Sequence, residues 1–397
     1  MYRVGFGDCF LVTFPGPEHV LVDCGVHNRG NIGTLDQVLA DIEEQTAGRL
    51  AIVIASHAHE DHIAGFGRGV EMFKGFTIGE VWLPWSENRA DPVARGLRAR
   101  LAALHSALEL RFQLAGGKAP DDVIDILANT SAKRNEPILA NLRAGLGTGA
   151  APRFLEAGEL RRDAGGIAGL TARILGPTRD ESFLRKMDPP KAERFPTAAA
   201  DGTISETGIQ PFEQFISADV RADDTTDGGP RLTEDQRREL LRAVELSPEA
   251  LAFALDRATN NLSIVALFTY RGKSLLFAGD SQYGGWKSWL DQPDSGDLLS
   301  DVSFYKVAHH GSENATPRSA LEGMQTGGVT AMLSTQNSPW PSIPDGPLLD
   351  ALTLKTDSRV LRSDSVSIPG APAGPALDRP PAGFTVGPFW VDHHIQL

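Results

Sequence analysis

The strongest constraint on this chain is the run Leu50-Ala51-Ile52-Val53-Ile54-Ala55, which breaks at Ser56 into His57-Ala58-His59-Glu60-Asp61-His62. A short, unbroken apolar run rich in β-branched residues predicts a strand covered on both faces, since a half-solvated strand would alternate with polar residues. It delivers three imidazoles and a carboxylate to a strand end. A polar, solvated turn is the weaker account of a cluster so placed. Imidazole and carboxylate together suit zinc and related divalent ions. On an extended segment alternate side chains share a face, so His57 and His59 can grip one ion while Asp61 and His62, just past the strand, point toward a second.

Two later segments end the same way. Leu275-Leu276-Phe277-Ala278-Gly279-Asp280 is a buried strand closing on a carboxylate, and Tyr305-Lys306-Val307-Ala308-His309-His310-Gly311-Ser312 closes on two histidines. A lone Gly-Asp after a strand is usually only a turn. Three strands ending in ligand-type residues read differently, because strand ends fix positions while the loops leave room for a substrate.

The remaining pattern supplies the layers. Leu35, Val38, Leu39 and Ile42 recur at helical spacing behind a Thr34/Gln37 capping box. From about 90 to 145 the pattern is helical, with Leu97, Leu101, Leu104 and Leu108 on one face. Residues 169–177 return to strand character. The stretch to about 231 is rich in Pro, Gly, Asp and Thr, and helices are expected at Thr233, boxed with Gln236, and at Ser247-Pro248. A hairpin turning at Arg271-Gly272, strands at 301–308 and 329–334, and a further strand near 358–364 follow, then a Pro/Ala/Gly linker and a short apolar tail. Two strand clusters, each followed by helices, predict an α/β fold of two sheets packed face to face with helices outside. The expected organisation is a single domain over 1–397, with a helical insertion at 90–147, a loop-rich then helical insertion at 178–257, and a linker and tail at 366–397.

Composition narrows the function. With 38 Lys+Arg against 51 Asp+Glu the net charge is −13, which argues against a nucleic-acid coat or a polybasic membrane-surface protein. No apolar run approaches the roughly 20 residues of a bilayer span, and the N-terminus lacks a secretory layout, so a cytoplasmic protein with no membrane partner is expected. The two cysteines, Cys9 and Cys24, flank an expected hairpin that sets them opposite each other, and are expected as reduced core thiols.

On these residues the chain resembles a metallo-β-lactamase-fold hydrolase, a four-layer αββα sandwich. The resemblance lies in His57, His59, Asp61 and His62, in Asp280, and in the His309-His310-Gly311-Ser312 element. More narrowly it is similar to the metallohydrolase domain of DNA-internalisation competence proteins and their free-standing relatives, at Gly5-Phe6-Gly7-Asp8, Leu21-Val22-Asp23-Cys24-Gly25, Asn260-Asn261-Leu262-Ser263 and Lys306–Ser312. It covers residues 2–70, 155–177 and 258–365. The resemblance implies that His57 and His59 hold a first metal and Asp61, His62 and His309 a second, with Asp280 bridging. His309 is preferred for its place two residues before the glycine, leaving His310 to orient a ligand or touch substrate. Asp23 is either an acceptor for a ligand histidine or a cap for the turn before Gly25.

Departures from the family pattern matter. Many relatives supply a third mid-chain histidine to the first metal, whereas this chain offers only His105, in a leucine-rich helical pattern, as a packing flank. Asn261 could hold a metal-bound water. The stretch Asn337-Ser338-Pro339-Trp340-Pro341 stands where the subgroup often has a His-Pro pair, trading a histidine for an aromatic stacking surface.

Two ions, zinc or with manganese as the alternative, would activate a bridging water and clamp attacking and leaving oxygens, with Asp61, Asp280 and His310 as catalytic residues. Phosphoesters suit such a clamp. The expected function is therefore a phosphodiesterase or nuclease-like hydrolase acting on a small-molecule, nucleotide or nucleic-acid phosphoester. Lactone, thioester and amide hydrolysis are alternatives, as is a catalytically weak metal- or partner-binding scaffold. The leucine-rich helices would cap the site or build a homodimer contact.

Overall fold

The computed structural model describes residues 1–29, 33–114, 121–186, 188–196, 248–336, 338–366 and 380–397. The helix expected at Thr233 and most of the linker lie outside these residues.

Two sheets face each other. The five-stranded sheet runs Cys9–Thr13, His19–Cys24, Arg49–Ile54, Thr77–Pro84, Ala151–Leu155; the seven-stranded sheet runs Val360–Arg362, Thr330–Leu333, Val302–Lys306, Lys273–Phe277, Val265–Tyr270, Thr171–Gly176, Leu160–Arg162. The two-residue period of a strand splits each sheet's apolar residues between two cores. Val20, Val22, Ile52, Ile54 and Trp82 face Ile174, Phe268, Leu275, Phe277 and Phe304 between the sheets. Their neighbours Leu21, Leu50, Val53 and Val81 turn outward onto Val38, Leu39 and Ile42 of the helix Leu35–Thr46 and onto Ile63 and Phe66 of Glu60–Arg68. On the other side Leu276, Tyr305 and Ala331 pack against Trp286, Trp289, Leu321 and Leu352. This is the αββα order, helices outside and two sheets within.

Local expectations are met where the sequence carried a mechanism. Thr34 and Gln37 form the reciprocal capping box. Cys9 pairs with Cys24 across the hairpin, and both thiols are buried and unbridged. In the two main sheets three strands escape sequence reading. Thr77–Pro84 is an interior strand of its sheet although Gly79 and Glu80 interrupt its apolar run, and Ala151–Leu155 and Leu160–Arg162 are partly exposed segments.

The helical stretch near 90–145 resolves into Pro92–Leu114, Asp121–Asn129 and Ala132–Arg143. Its leucine face packs within the chain: Leu97 and Leu101 meet Trp85 and Leu262, while Leu104 and Leu108 meet Val123, Ile126 and Leu251. The last of these lies on Pro248–Asn260, the helix expected after Ser247, which packs against Pro92–Leu114 and Asp121–Asn129. The tail is more than an appendage, since Phe384–Val386 and Val391–His393 form a hairpin whose Phe384 and Val386 rest on the core between the sheets. Among the described residues no helix is long and apolar enough to cross a membrane.

The helix Glu60–Arg68 lies close on the strand His19–Cys24. A Cβ at Gly65 would sit 2.3 Å from Cys24 Sγ and 2.6 Å from its carbonyl oxygen. Gly65→Ala is therefore expected to cost about 1–3 kcal/mol, the usual range for overpacking. A urea midpoint equal to that of the parent protein would contradict this close approach.

Candidate metal centre

The site forms where strands of both sheets end. Asp23 closes the strand His19–Cys24 with φ 56°, and its carboxylate accepts from Ser56 N–H (2.7 Å), Ser56 Oγ–H (2.8 Å) and His62 Nδ1 (2.8 Å). A carboxylate only accepts, so Nδ1 of His62 carries the proton and Nε2 is turned inward. Asp23 is thus the acceptor behind a histidine, and through Ser56 it also holds the start of the histidine-rich turn. Gly25 packs its Cα onto the next turn: a Cβ there would lie 2.2 Å from the Asp61 carbonyl carbon. Asp8 N–H donates to the Asp61 carbonyl at 2.9 Å, and Asn129 Oδ1 accepts from Asp61 N–H at 3.1 Å.

Two groups of ligand-type side chains result. Asp61, His62, Asp280 and His310 each bring one ligand atom within 4.8 Å of those of the others, and His57, His59 and Asp61 do the same. Asp61 belongs to both. His62 Nε2 lies 3.1 Å from Asp280 Oδ2, and His310 Nε2 lies 3.1 Å from Asp61 Oδ2 and 3.3 Å from Asp280 Oδ2. His57 Nε2 and His59 Nδ1 are 3.0 Å apart. None of these six side chains is more than 2% exposed.

Of the two adjacent histidines, the structure brings His310 rather than His309 into the group. Both have positive φ, 45° and 51°, so the chain reverses and the rings diverge. His310 donates from Nδ1 to the Ser334 carbonyl (2.8 Å), which aims Nε2 at the carboxylates. His309 is half-buried and meets Ser312 Oγ (2.7 Å) and Asn260 Nδ2 (3.3 Å) instead. Position relative to the glycine does not encode this reversal.

Asn261 also falls outside the role expected of it. Its Oδ1 accepts from Gln282 and Gly285 N–H, and its Nδ2 donates to the Leu184 and Lys186 carbonyls. Its capacity is spent on pinning loops. His105 is buried beside Glu109 and joins neither group. Trp340 is partly buried, with the Phe6 ring 4.6 Å and the His27 ring 5.8 Å away, so its aromatic surface is occupied by the chain itself; Asn337 lies outside the described residues.

Three charged residues near the centre were not singled out from sequence. Asp8 forms a further group with Asp23 and His62. Lys306 pairs with Asp8 and lies 3.4 Å from Asp280 Oδ1. Asp256, on Pro248–Asn260, stands 3.8 Å from His59 Nε2. Only Asp8 and Lys306 sat in motifs that pointed here; Asp256 lies in an ordinary amphipathic helix.

Charge in the cluster follows from burial and neighbours. Burial opposes ionisation of His62, but Asp280, Asp61 and Asp23 outweigh it and raise its pKa well above the usual value. His310 is raised to about 10 against the same burial, by Asp280 and Asp8 first. Burial also dominates at His59 and His309, and lowers both to about 4. His57 is held well down by burial and by His62 and His59. The pair His57/His59 is thus neutral, the state a ligand needs.

The donor set fits a divalent cation. Asp61 Oδ1, directed into the ligand group, is buried without a hydrogen-bond partner, an arrangement that costs roughly 1–3 kcal/mol unless something compensates it. A cavity of about 740 Å³ lies elsewhere, between the first hairpin and the C-terminal tail, and is lined by none of these residues.

Residues 2–73, which carry His57, His59, Asp61 and His62, match the family model of the metallo-beta-lactamase superfamily. No curated protein matches the chain. The four-layer architecture is consistent with the metallo-β-lactamase fold, and together with the two ligand groups it points to a metal-dependent hydrolase.

His27 sits at the edge of the centre, 3.4 Å from Glu60 and 3.3 Å from Asp125. Burial opposes its charge, but Glu60, Asp61 and Asp125 together raise its pKa above the usual 6.5. A raised folded-state pKa gives stability that is complete below the unfolded value and disappears as pH climbs through the folded one. The stability gap between the parent and His27→Gln is therefore expected to be larger at pH 6 than at pH 9 in urea melts; a gap independent of pH contradicts the ion-pair account.

Proposed function

We propose that this chain is a dinuclear metal-dependent phosphodiesterase or nuclease-like hydrolase. The observation that carries the reading is the meeting of Asp61 and His62 with Asp280 and His310, more than two hundred positions apart in sequence, beside His57 and His59. His57 and His59 would hold one ion and His62 and His310 the other, with Asp61 and Asp280 serving both, and with His310 in the place first given to His309. Zinc suits these ligands, with manganese as the alternative.

Divalent ions held there supply Lewis acidity and activate water at neutral pH. The chain's own residues orient and neutralise. Asp23 and the Ser334 carbonyl fix His62 and His310 by accepting their Nδ1 protons, and Lys306 offsets Asp8 and Asp280. Phosphoesters are favoured because their negative oxygens and charge-spreading transition state match a paired-cation site. The narrower likeness to DNA-internalisation proteins, which rests on Gly5–Asp8, Asn260–Ser263 and Lys306–Ser312, supports a nucleotide or nucleic-acid substrate. Action in the cytoplasm and assembly as a homodimer belong to the same reading.

A second reading, a metal-binding scaffold with weak catalysis, is favoured by the near-complete burial of the ligand side chains. Elemental analysis with turnover of bis(p-nitrophenyl) phosphate separates the two. About two ions per chain and turnover support the enzyme; bound metal without turnover of phosphate, lactone, thioester or amide panels supports the scaffold. His59→Ala and Asp280→Ala are expected to remove both metal and activity, and His105→Ala to leave both intact. His310→Ala should lose metal where His309→Ala retains it, and the reverse result would restore His309 as the ligand. At an ion concentration 100-fold above its Kd, metal should stabilise the fold by about 2.7 kcal/mol, and EDTA should abolish that gain.

A further inference from the structure

This inference rests on the reading of the His/Asp cluster as a metal centre and concerns how its first position is held. His57 Nε2 and His59 Nδ1 face each other at 3.0 Å, so an ion shared by the pair meets those two atoms. An imidazole ligates through one nitrogen and steers with the other. For His59 the other is Nε2, which is buried with no hydrogen-bond partner and has Asp256 Oδ1 at 3.8 Å. His62 already shows the completed form of the device, with Nδ1 2.8 Å from Asp23 and Nε2 directed into the ligand group.

The surroundings leave Asp256 free to act this way. Its Oδ2 accepts from Asn260 Nδ2 at 3.1 Å, one helical turn on, which fixes the carboxylate and leaves Oδ1 toward His59. The neighbouring Arg257 turns its guanidinium to Asp188 at 3.1 Å and lies over the Phe253 ring. Asn260 Nδ2 also reaches His309 Nε2 at 3.3 Å, so a single helix touches two histidines of the centre.

We propose that Asp256 is a positioning residue of the first metal position: its carboxylate, now 3.8 Å from His59 Nε2, closes to accept that atom's proton when an ion binds, sets the tautomer that presents Nδ1 to the ion, and thereby makes the inserted helix Pro248–Asn260 a working part of the centre. In a chain lacking a mid-chain histidine for that position, orientation of the two ligands present compensates for a thin donor set.

The test titrates apo protein with Zn2+ against a chromophoric chelator and records the visible spectrum of the Co2+ form. The parent should bind two ions. Asp256→Asn should weaken one of them by roughly 10- to 100-fold, the usual effect of losing a histidine's outer partner, leave the other unchanged, and alter the Co2+ absorption. Asp256→Glu, which keeps the acceptor, should recover most of the affinity and serves if Asp256→Asn does not fold. Unchanged affinity for both ions in Asp256→Asn overturns the role of Asp256 while the metal centre stands. A parent that binds no metal overturns the centre itself. Loss of one oxygen donor from the X-ray absorption shell of Asp256→Asn would make Asp256 a ligand and overturn the orienting role.

Discussion

Buried negative charge is the constraint on which this structure turns. Asp8, Asp23, Asp61 and Asp280 are each at most 2% exposed and lie within one cluster. Carboxylates in such a setting cost several kcal/mol apiece unless paired and hydrogen-bonded. The chain answers with Lys306, with three donors on Asp23, and with His62 and His310, whose raised pKa values mark them as imidazolium in the absence of an ion. Protons on those two rings occupy the electrostatic role a divalent cation would take. A divalent ion taking that role would displace those protons.

The same cluster joins the two halves of the sandwich. Asp8, Asp23 and the 57–62 turn come from the five-stranded side, and Asp280, Lys306 and His310 from the seven-stranded side. Short hydrogen bonds run parallel to the ionic ones: Ile264 N–H donates to the Ser56 carbonyl at 2.9 Å, and Ser334 Oγ–H to the Gly7 carbonyl at 2.5 Å. The apolar layer between the sheets holds the halves together without specifying register, because area burial is non-directional. Directional bonds at the strand ends supply that register.

What could be read from the sequence divides along the same line. The buried strands Arg49–Ile54, Lys273–Phe277 and Val302–Lys306, the capping box at Thr34 and the Cys9/Cys24 pairing each had a local cause in the sequence. Strands with a weak local pattern, such as Thr77–Pro84, exist because neighbours on both sides complete their hydrogen bonds, which no window of sequence reports. At the centre, residue types were legible but directions were not. Choosing between His309 and His310 needed two consecutive positive φ angles, and the true work of Asn261 needed the positions of four distant backbone groups.

Asp256 marks the limit of sequence reading most clearly, since an acidic residue on an amphipathic helix is ordinarily a solvated face. Its significance comes only from packing: Leu251 and Ala252 seat the helix on Leu108, Val123 and Ile126, and that seating brings the carboxylate over His59. The same helix and Asn129 of its neighbour therefore meet the histidine-rich turn directly, at His59 and at the Asp61 N–H. By reciprocity, whatever the seated helix adds to ion affinity through His59, a bound ion would return as stability of that seating.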